Sequence, residues 1–402
     1  MTARLFSIWA IAAVASVMIA ASCPGAEPKP VTPRGRAGGA EGADVKVIRV
    51  PDGGIQPQVI RDPDGRLHLI YFKGEAGAGN VYYVRRQSNE NEFSTALVVN
   101  SQPGSAIATG TIRGAQLAID KDGRAHVAWN GSNKALPKGP GKYANPMLYA
   151  RRNDAGTAFE PQRNLIDKAY GLDGGGSVAV GPQGTVSVVW HGNPNANGEE
   201  HRRVYVAHSK DGGVTFSPEA PIDAGQSGAC GCCGLRAFVD NNGKLYVLYR
   251  TARKLVDRDI CLLMTSAAGK AQERLLDKWE TDQCPMSNEA FADAGDTVLA
   301  AWETKGQVWL ARINKQTGNV STPTAAPGPG AGRKHPAIAV NRSGEILLAW
   351  DEGTGWQKGG KLAWQRFDSK LQPTRSGKGG DIPVWSFSAA YADEHGTFVI
   401  LH

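Results

Sequence analysis

Residues 337–350 read Ala337-Ile338-Ala339-Val340-Asn341-Arg342-Ser343-Gly344-Glu345-Ile346-Leu347-Leu348-Ala349-Trp350. Small apolar residues run into a polar turn, and a bulkier apolar run leaves it and ends on an aromatic. Asn and Asp open such turns by bonding their side chains to the backbone ahead, and Gly supplies the positive φ that closes them. The segment therefore reads as a β-hairpin. The unit recurs. Its other turns are Asp62-Pro63-Asp64-Gly65, Asp120-Lys121-Asp122-Gly123, Gly181-Pro182-Gln183-Gly184, Asp240-Asn241-Asn242-Gly243, Asp293-Ala294-Gly295-Asp296 and Asp393-Glu394-His395-Gly396. Successive turn glycines stand 58, 61, 59, 52, 49 and 52 residues apart.

The strand after each turn ends on Tyr71, Trp129, Trp190, Tyr249, Trp302 or Trp350, with His402 in that slot of the last repeat. A recurring position is a packing position, so these aromatics are expected in the core. A third strand follows in six repeats, as in Met147–Arg151 and Leu362–Arg366, and a weaker fourth, such as Ala96–Val99, comes after it. Four antiparallel strands about every 50 residues is the period of a β-propeller blade. The expectation is an all-β propeller with seven blades, six being the alternative, filling 45–402. The chain stops after the second strand of its last repeat. Val45–Val50 is therefore expected to complete that blade and close the ring, which removes exposed sheet edges.

Composition agrees. The 402 residues include 50 glycines, against an ordinary share of about 7%, and no Gly-X-Y period suggests collagen. A hydrophobic share of 41% excludes a disordered chain. Leu5–Ala21 is apolar apart from Ser7 and Ser16, follows Arg4 and meets Ala20-Ala21-Ser22-Cys23. That pattern reads as a secretory signal peptide over 1–22. The Pro-, Gly- and Ala-rich stretch 23–44 reads as a flexible linker. The apolar run is short for a membrane span and no basic stop-transfer segment follows, so the chain is not read as an integral membrane protein. A secreted or periplasmic monomer is expected. Lipid attachment at Cys23 is the lesser alternative, because Ala20 stands where such sites carry Leu. The net charge of +7 is dispersed and not interleaved with stacking aromatics, which argues against a nucleic-acid partner.

Ser209-Lys210-Asp211-Gly212-Gly213-Val214-Thr215-Phe216 matches the Asp-box, Ser-x-Asp-x-Gly-x-Thr-aromatic, and Asn153–Phe159 is a worn copy. With these motifs and the blade pattern over 45–402, the chain resembles the sialidase-like, Asp-box (BNR-repeat) propeller superfamily. In that superfamily the box folds a hairpin between the third and fourth strands at the outer rim and is structural. The resemblance implies a carbohydrate or glycoconjugate ligand and, with catalysis, a glycoside hydrolase. Ile48-Arg49-Val50-Pro51 is similar to the Arg-hydrophobe-Pro step near the start of sialidases. By the same resemblance Arg49, Arg250 and either Arg113 or Arg333 would hold an acidic sugar, since guanidinium pairs bidentately with carboxylate. Tyr391 is available as a nucleophile, and Glu289 and Asp351 for proton transfer. Tyr71-Phe72-Lys73-Gly74-Glu75 departs from the family, which carries an acidic residue and Arg there.

In a propeller, the loops entering each inner strand and leaving each second strand share one face around the central channel. The glycine turns lie on the other. The entry side offers Arg113, Asp173, Arg236, Asn288, Glu289, Arg333 and His335; the exit side offers Lys73, Asn130, His191, Arg250, Glu303, Asp351 and Glu352. Trp356 and Trp385 fall outside the packing register and are candidates for stacking on a sugar ring.

Cys230-Gly231-Cys232-Cys233 precedes the fourth inner strand and Cys284-Pro285 the fifth, so both belong on the channel face of adjacent blades. Three readings stand. An oxidising compartment favours disulfides among Cys230, Cys232, Cys233 and Cys284, with open connectivity and no cofactor. Thiolates also suit a soft metal, copper or zinc, with His191 or His335 adding a nitrogen. A redox-active pair is the third. The cysteines, with Arg258-Asp259-Ile260 between them, also resemble a pattern in a subset of exported sialidase-like proteins. There a His or Gly-Pro follows Cys-Pro in place of Met286-Ser287-Asn288.

Three functions follow: a glycan-directed propeller with exo-glycosidase activity, a disulfide-braced interaction module without catalysis, or a soft-metal-binding exported protein. The hydrolase requires three convergent arginines and carboxylates about 5 to 10 Å apart.

Overall fold

The computed structural model describes residues 45–402 except 89, 141–143, 196, 223, 224, 226 and 266–270. The signal-peptide and linker readings over 1–22 and 23–44, Cys23 included, lie outside the described residues. Among those described, no helix is long and apolar enough to cross a membrane.

Seven sheets form seven blades of a propeller. Six have four strands in simple up-and-down order. Their inner strands are Ile55–Arg61, Gln116–Ile119, Gly176–Val180, Leu235–Val239, Ala290–Ala294 and Arg333–Val340. The seventh blade consists of Ala389–Ala392, Phe398–Leu401 and, from the other end of the chain, Val45–Ile48. The closing strand pairs as expected, Val45 with Phe398 through Ile48 with Leu401, but runs parallel to its neighbour. Topology requires this direction. A second strand runs from the turn face to the channel face, and the closing strand must also end at the channel face to feed the inner strand of blade one.

The hairpin turns form as the sequence dictates. In blade two the Asp120 carboxylate accepts the backbone N–H groups of Asp122 and Arg124 at 2.9 and 2.8 Å. The seven turn glycines all have positive φ, between 71° and 84°, a region a Cβ disfavours.

The core lies in the seams. Seven hydrophobic clusters each join the facing surfaces of two adjacent blades. Trp129, Trp190, Trp302 and Trp350 are all buried there, as their recurrence implied. Small inner-strand residues such as Ala118, Ala179, Ala237 and Ala339 let seven sheets approach one axis.

At the rim, Ser209 Oγ donates to Asp211 Oδ1 at 2.7 Å, Thr215 Oγ1 donates to Asp211 Oδ2 at 2.6 Å, and Phe216 stands edge-on to Tyr149 of blade two at 4.8 Å. Phe159, from the worn copy, meets Tyr83 of blade one the same way at 5.5 Å. The segment from each blade therefore clamps the blade before it.

Candidate functional site

The inner strands of all seven blades line a cavity of about 280 Å³, walled by apolar residues from alanine to phenylalanine and by Gln58, Arg236, Asn288 and His335. Arg236 spans it. Its guanidinium donates to Gln58 Oε1 of blade one at 2.9 Å, to Gln116 Oε1 of blade two and to the Glu289 carbonyl of blade five at 3.3 Å. Burial lowers its pKa to about 10, against the attraction of Glu289.

The segment leading into blade two reaches across the mouth. Gln56 Nε2 donates to the Ala108 carbonyl at 2.8 Å, Asn288 Nδ2 of blade five donates to the Thr111 carbonyl at 3.2 Å, and Thr111 Oγ1 lies 3.4 Å from His335 Nε2 of blade six. Bonds from one loop to blades one, five and six leave the channel bridged at its channel-face end. No sequence signal identified this role, because the segment falls between repeats.

The sialidase-type residues stand on different blades and each has its own partner. Arg49 is exposed and donates to the Asp381 carbonyl at 3.2 Å, at the seam of blades six and seven. Arg113 pairs with Asp173 at 2.6 Å. Arg250 is buried in blade four, 3.4 Å from Glu303. Arg333 pairs with Glu352 at 3.3 Å and lies over Trp350. Each guanidinium thus has a carboxylate or carbonyl partner within the propeller. Tyr391 is displaced for a topological reason: its strand position places it toward the glycine-turn end, where its hydroxyl accepts from Arg86 at 3.1 Å. Glu289 and Asp351 are on the channel side but shut off from water. Burial drives both pKa values well above the ordinary carboxylate range; Cys233 adds to the shift of Glu289, while Ser388 opposes that of Asp351. Neither Glu289 oxygen has a hydrogen-bond partner among the described residues.

Trp356 lies outside the packing register of the strand-end aromatics. It is 58% exposed, on the loop leaving the second strand of blade six, and meets Trp385 edge-on at 4.7 Å. A methyl group on Gly110 would lie 3.0 Å from Arg113 Nη1 and 3.7 Å from both Met286 and Trp356, so these side chains share one patch of the rim.

The cysteines gather only in part. Cys230 Sγ lies 3.4 Å from both Cys232 Sγ and Cys233 Sγ, and the three sulfurs fall within 4.8 Å of one another. No pair is at the bonding distance of about 2.05 Å, and all five described cysteines are free. The four-cysteine disulfide set is thereby corrected. Cys284 is exposed and outside the group, and Cys261 is buried on its strand. His191 and His335 are also outside it. Burial lowers the pKa of His191 to about 4 and that of His335 to about 3, with Arg202 and Lys334 respectively acting in the same direction.

Burial opposes ionisation of Cys233. Hydrogen bonds from Cys230 and Cys232, together with the Arg250 charge, outweigh it and hold the Cys233 thiol well below its usual range. Cys230 and Cys232 are pushed up as the protonated partners. The loop that carries them is held by Glu199, whose carboxylate accepts from the Gly231 N–H at 2.8 Å and from Arg258 at 3.0 Å. Arg258 was visible in the sequence beside the cysteine pattern. Glu199, in a loop without repeat character, was not.

No family model and no curated protein matches this chain. Solved structures do. The NanB sialidase of Streptococcus pneumoniae superimposes with a TM-score of 0.52 at 10% identity, over 84% of this chain and 70% of that one. A protein of unknown function from Dyadobacter fermentans gives 0.51 at 15%, over 77% and 93%. An α-L-arabinanase of Penicillium chrysogenum gives 0.50 at 13%, over 80% and 95%. The fold that these structures share with the chain is the β-propeller. Identities this low carry the architecture and no more.

Proposed function

We propose that this chain is an exported carbohydrate-binding propeller that holds a sugar at the Trp356 rim and does not hydrolyse it. The exposed indole of Trp356, fixed edge-on by Trp385 beside the Arg113–Asp173 pair, carries the reading. A rigid aromatic face takes the apolar side of a pyranose, and an adjacent ion pair offers a donor and an acceptor for hydroxyl groups. An acidic sugar is disfavoured, because Arg113 is already neutralised by Asp173.

Hydrolysis has little support in the same geometry. Glycosidases need two carboxyl groups flanking the bond, one of them ionised. Glu289 and Asp351 are buried, which disfavours their ionised forms, and Tyr391 is bound to Arg86 toward the turn end.

The test is a glycan microarray with wild type and Trp356→Ala, together with a panel of chromogenic glycosides. Binding that Trp356→Ala abolishes, without a change in melting temperature or any glycoside turnover, supports the reading. Turnover, or binding indifferent to Trp356, overturns it.

A further inference from the structure

We propose that Cys230, Cys232 and Cys233 bind one copper(I) ion through a trigonal set of thiolates. The sulfurs are already gathered, with two separations of 3.4 Å. Metal–sulfur bonds of about 2.3 Å hold thiolates roughly 3.8–4.0 Å apart, so widening the two short separations by about 0.5 Å admits an ion. Closing a disulfide would demand a larger inward one.

The donor set selects the ion. Thiolates favour soft metals. Among the described residues no His, Asp or Glu atom joins the sulfurs within 4.8 Å. Zinc in a closed site almost always takes four ligands, whereas three sulfurs suffice for a monovalent d¹⁰ ion.

The surroundings supply an independent argument. Arg250 Nε and Arg258 Nε and Nη1 are buried without hydrogen-bond partners among the described residues. Arg250 interacts electrostatically with Cys233 and Cys230, and Arg258 with Cys230 and Cys232. Buried guanidinium N–H groups without acceptors are costly. As copper(I) binds, all three cysteines serve as thiolates, and the protons still held on sulfur pass to solvent. Three thiolates and one monovalent cation leave a charge of −2, which faces these two cations. Cys230 and Cys233 are fully buried while Cys232 is partly exposed, so the ion has an entrance on the Cys232 side. The proposal is independent of the carbohydrate reading.

The experiment uses the full chain, reduced and kept anaerobic, with copper(I) supplied as its bathocuproine disulfonate complex. Expected are withdrawal of about one copper per chain, an ultraviolet thiolate-to-copper band and a raised melting temperature, since a ligand of the native state stabilises it. Cys232→Ser, at the least buried ligand, loses the uptake while keeping the wild-type circular dichroism. Cys261→Ser and Cys284→Ser keep the uptake. No withdrawal by folded, fully reduced wild type overturns the proposal. So does uptake that persists in both Cys230→Ser and Cys232→Ser, or zinc(II) bound in preference to copper(I).

Discussion

The guanidinium of Arg250, on the second strand of blade four, lies 3.4 Å from Glu303 of blade five, and water reaches neither side chain. Trp279 lies 5.1 Å from the guanidinium carbon and closes the site on one side. Removing one member of a buried pair strands the other charge, at a cost of about 3–5 kcal/mol, whereas an apolar replacement of both is often tolerated. Arg250→Met and Glu303→Leu should each destabilise by that order in urea unfolding. The double variant should recover much of the loss, and strict additivity would show that the two do not act as a pair.

His191 supplies a pH dependence of known sign. Its ring is buried and neither nitrogen has a partner among the described residues. Arg202 is the nearby cation, with Cys233 and Asp173 the opposing groups. Burial lowers its pKa from 6.5 to about 4. Below pH 6.5 the unfolded chain takes up this proton while the folded chain does not, so its contribution to stability is lost as pH falls from there toward 4. Relative to His191→Gln, the wild type should lose about 3 kcal/mol across that interval. Parallel stability profiles for the two proteins would refute the assignment.

Glu289 should slope the other way. Its folded pKa is raised far above the ordinary 4.5, so above that pH unfolding releases a proton that the native state retains. The stability of Glu289→Gln relative to wild type should therefore grow as pH rises through 4.5, and Glu289→Gln should remain folded at neutral pH. Calorimetry over the pH range decides it. A Glu289→Gln that is less stable than wild type at neutral pH would mean the carboxylate is ionised there.

The hairpins were legible because their cause is local: Asp120 and Gly123 bond and bend within one turn, and the repeat multiplies the signal. The burial of Trp129 and Trp190 followed from the same register. What the sequence left open depends on side chains from different blades meeting at the axis. Arg113 was matched to a ligand carboxylate, but Asp173 of the next blade reaches it first. Tyr391 had the right chemistry and the wrong end of its strand. Cys284 shares a face with Cys230 and Cys233, yet sharing a face does not bring sulfurs to contact. The Ala108–Thr111 crossing is set by Gln56, Asn288 and His335, all from other repeats, and no periodicity encodes it.

Gly213 ties the rim of blade three to blade two, and its replacement gives a direct test of that clamp. Its φ is +81°, its N–H donates to Ser209 Oγ at 2.8 Å, and a Cβ there would come within 1.9 Å of the Tyr149 hydroxyl. Tyr149 is fully buried and shares a hydrogen bond of 2.7 Å with His126, so it has no free direction in which to yield. Gly213→Ala should therefore combine backbone strain with overpacking and destabilise by about 1–3 kcal/mol or more. In the Tyr149→Phe background the clash with the hydroxyl is gone while the positive φ remains. The alanine substitution should cost measurably less there. An equal cost in both backgrounds would place the whole effect in the backbone and none in the contact between blades.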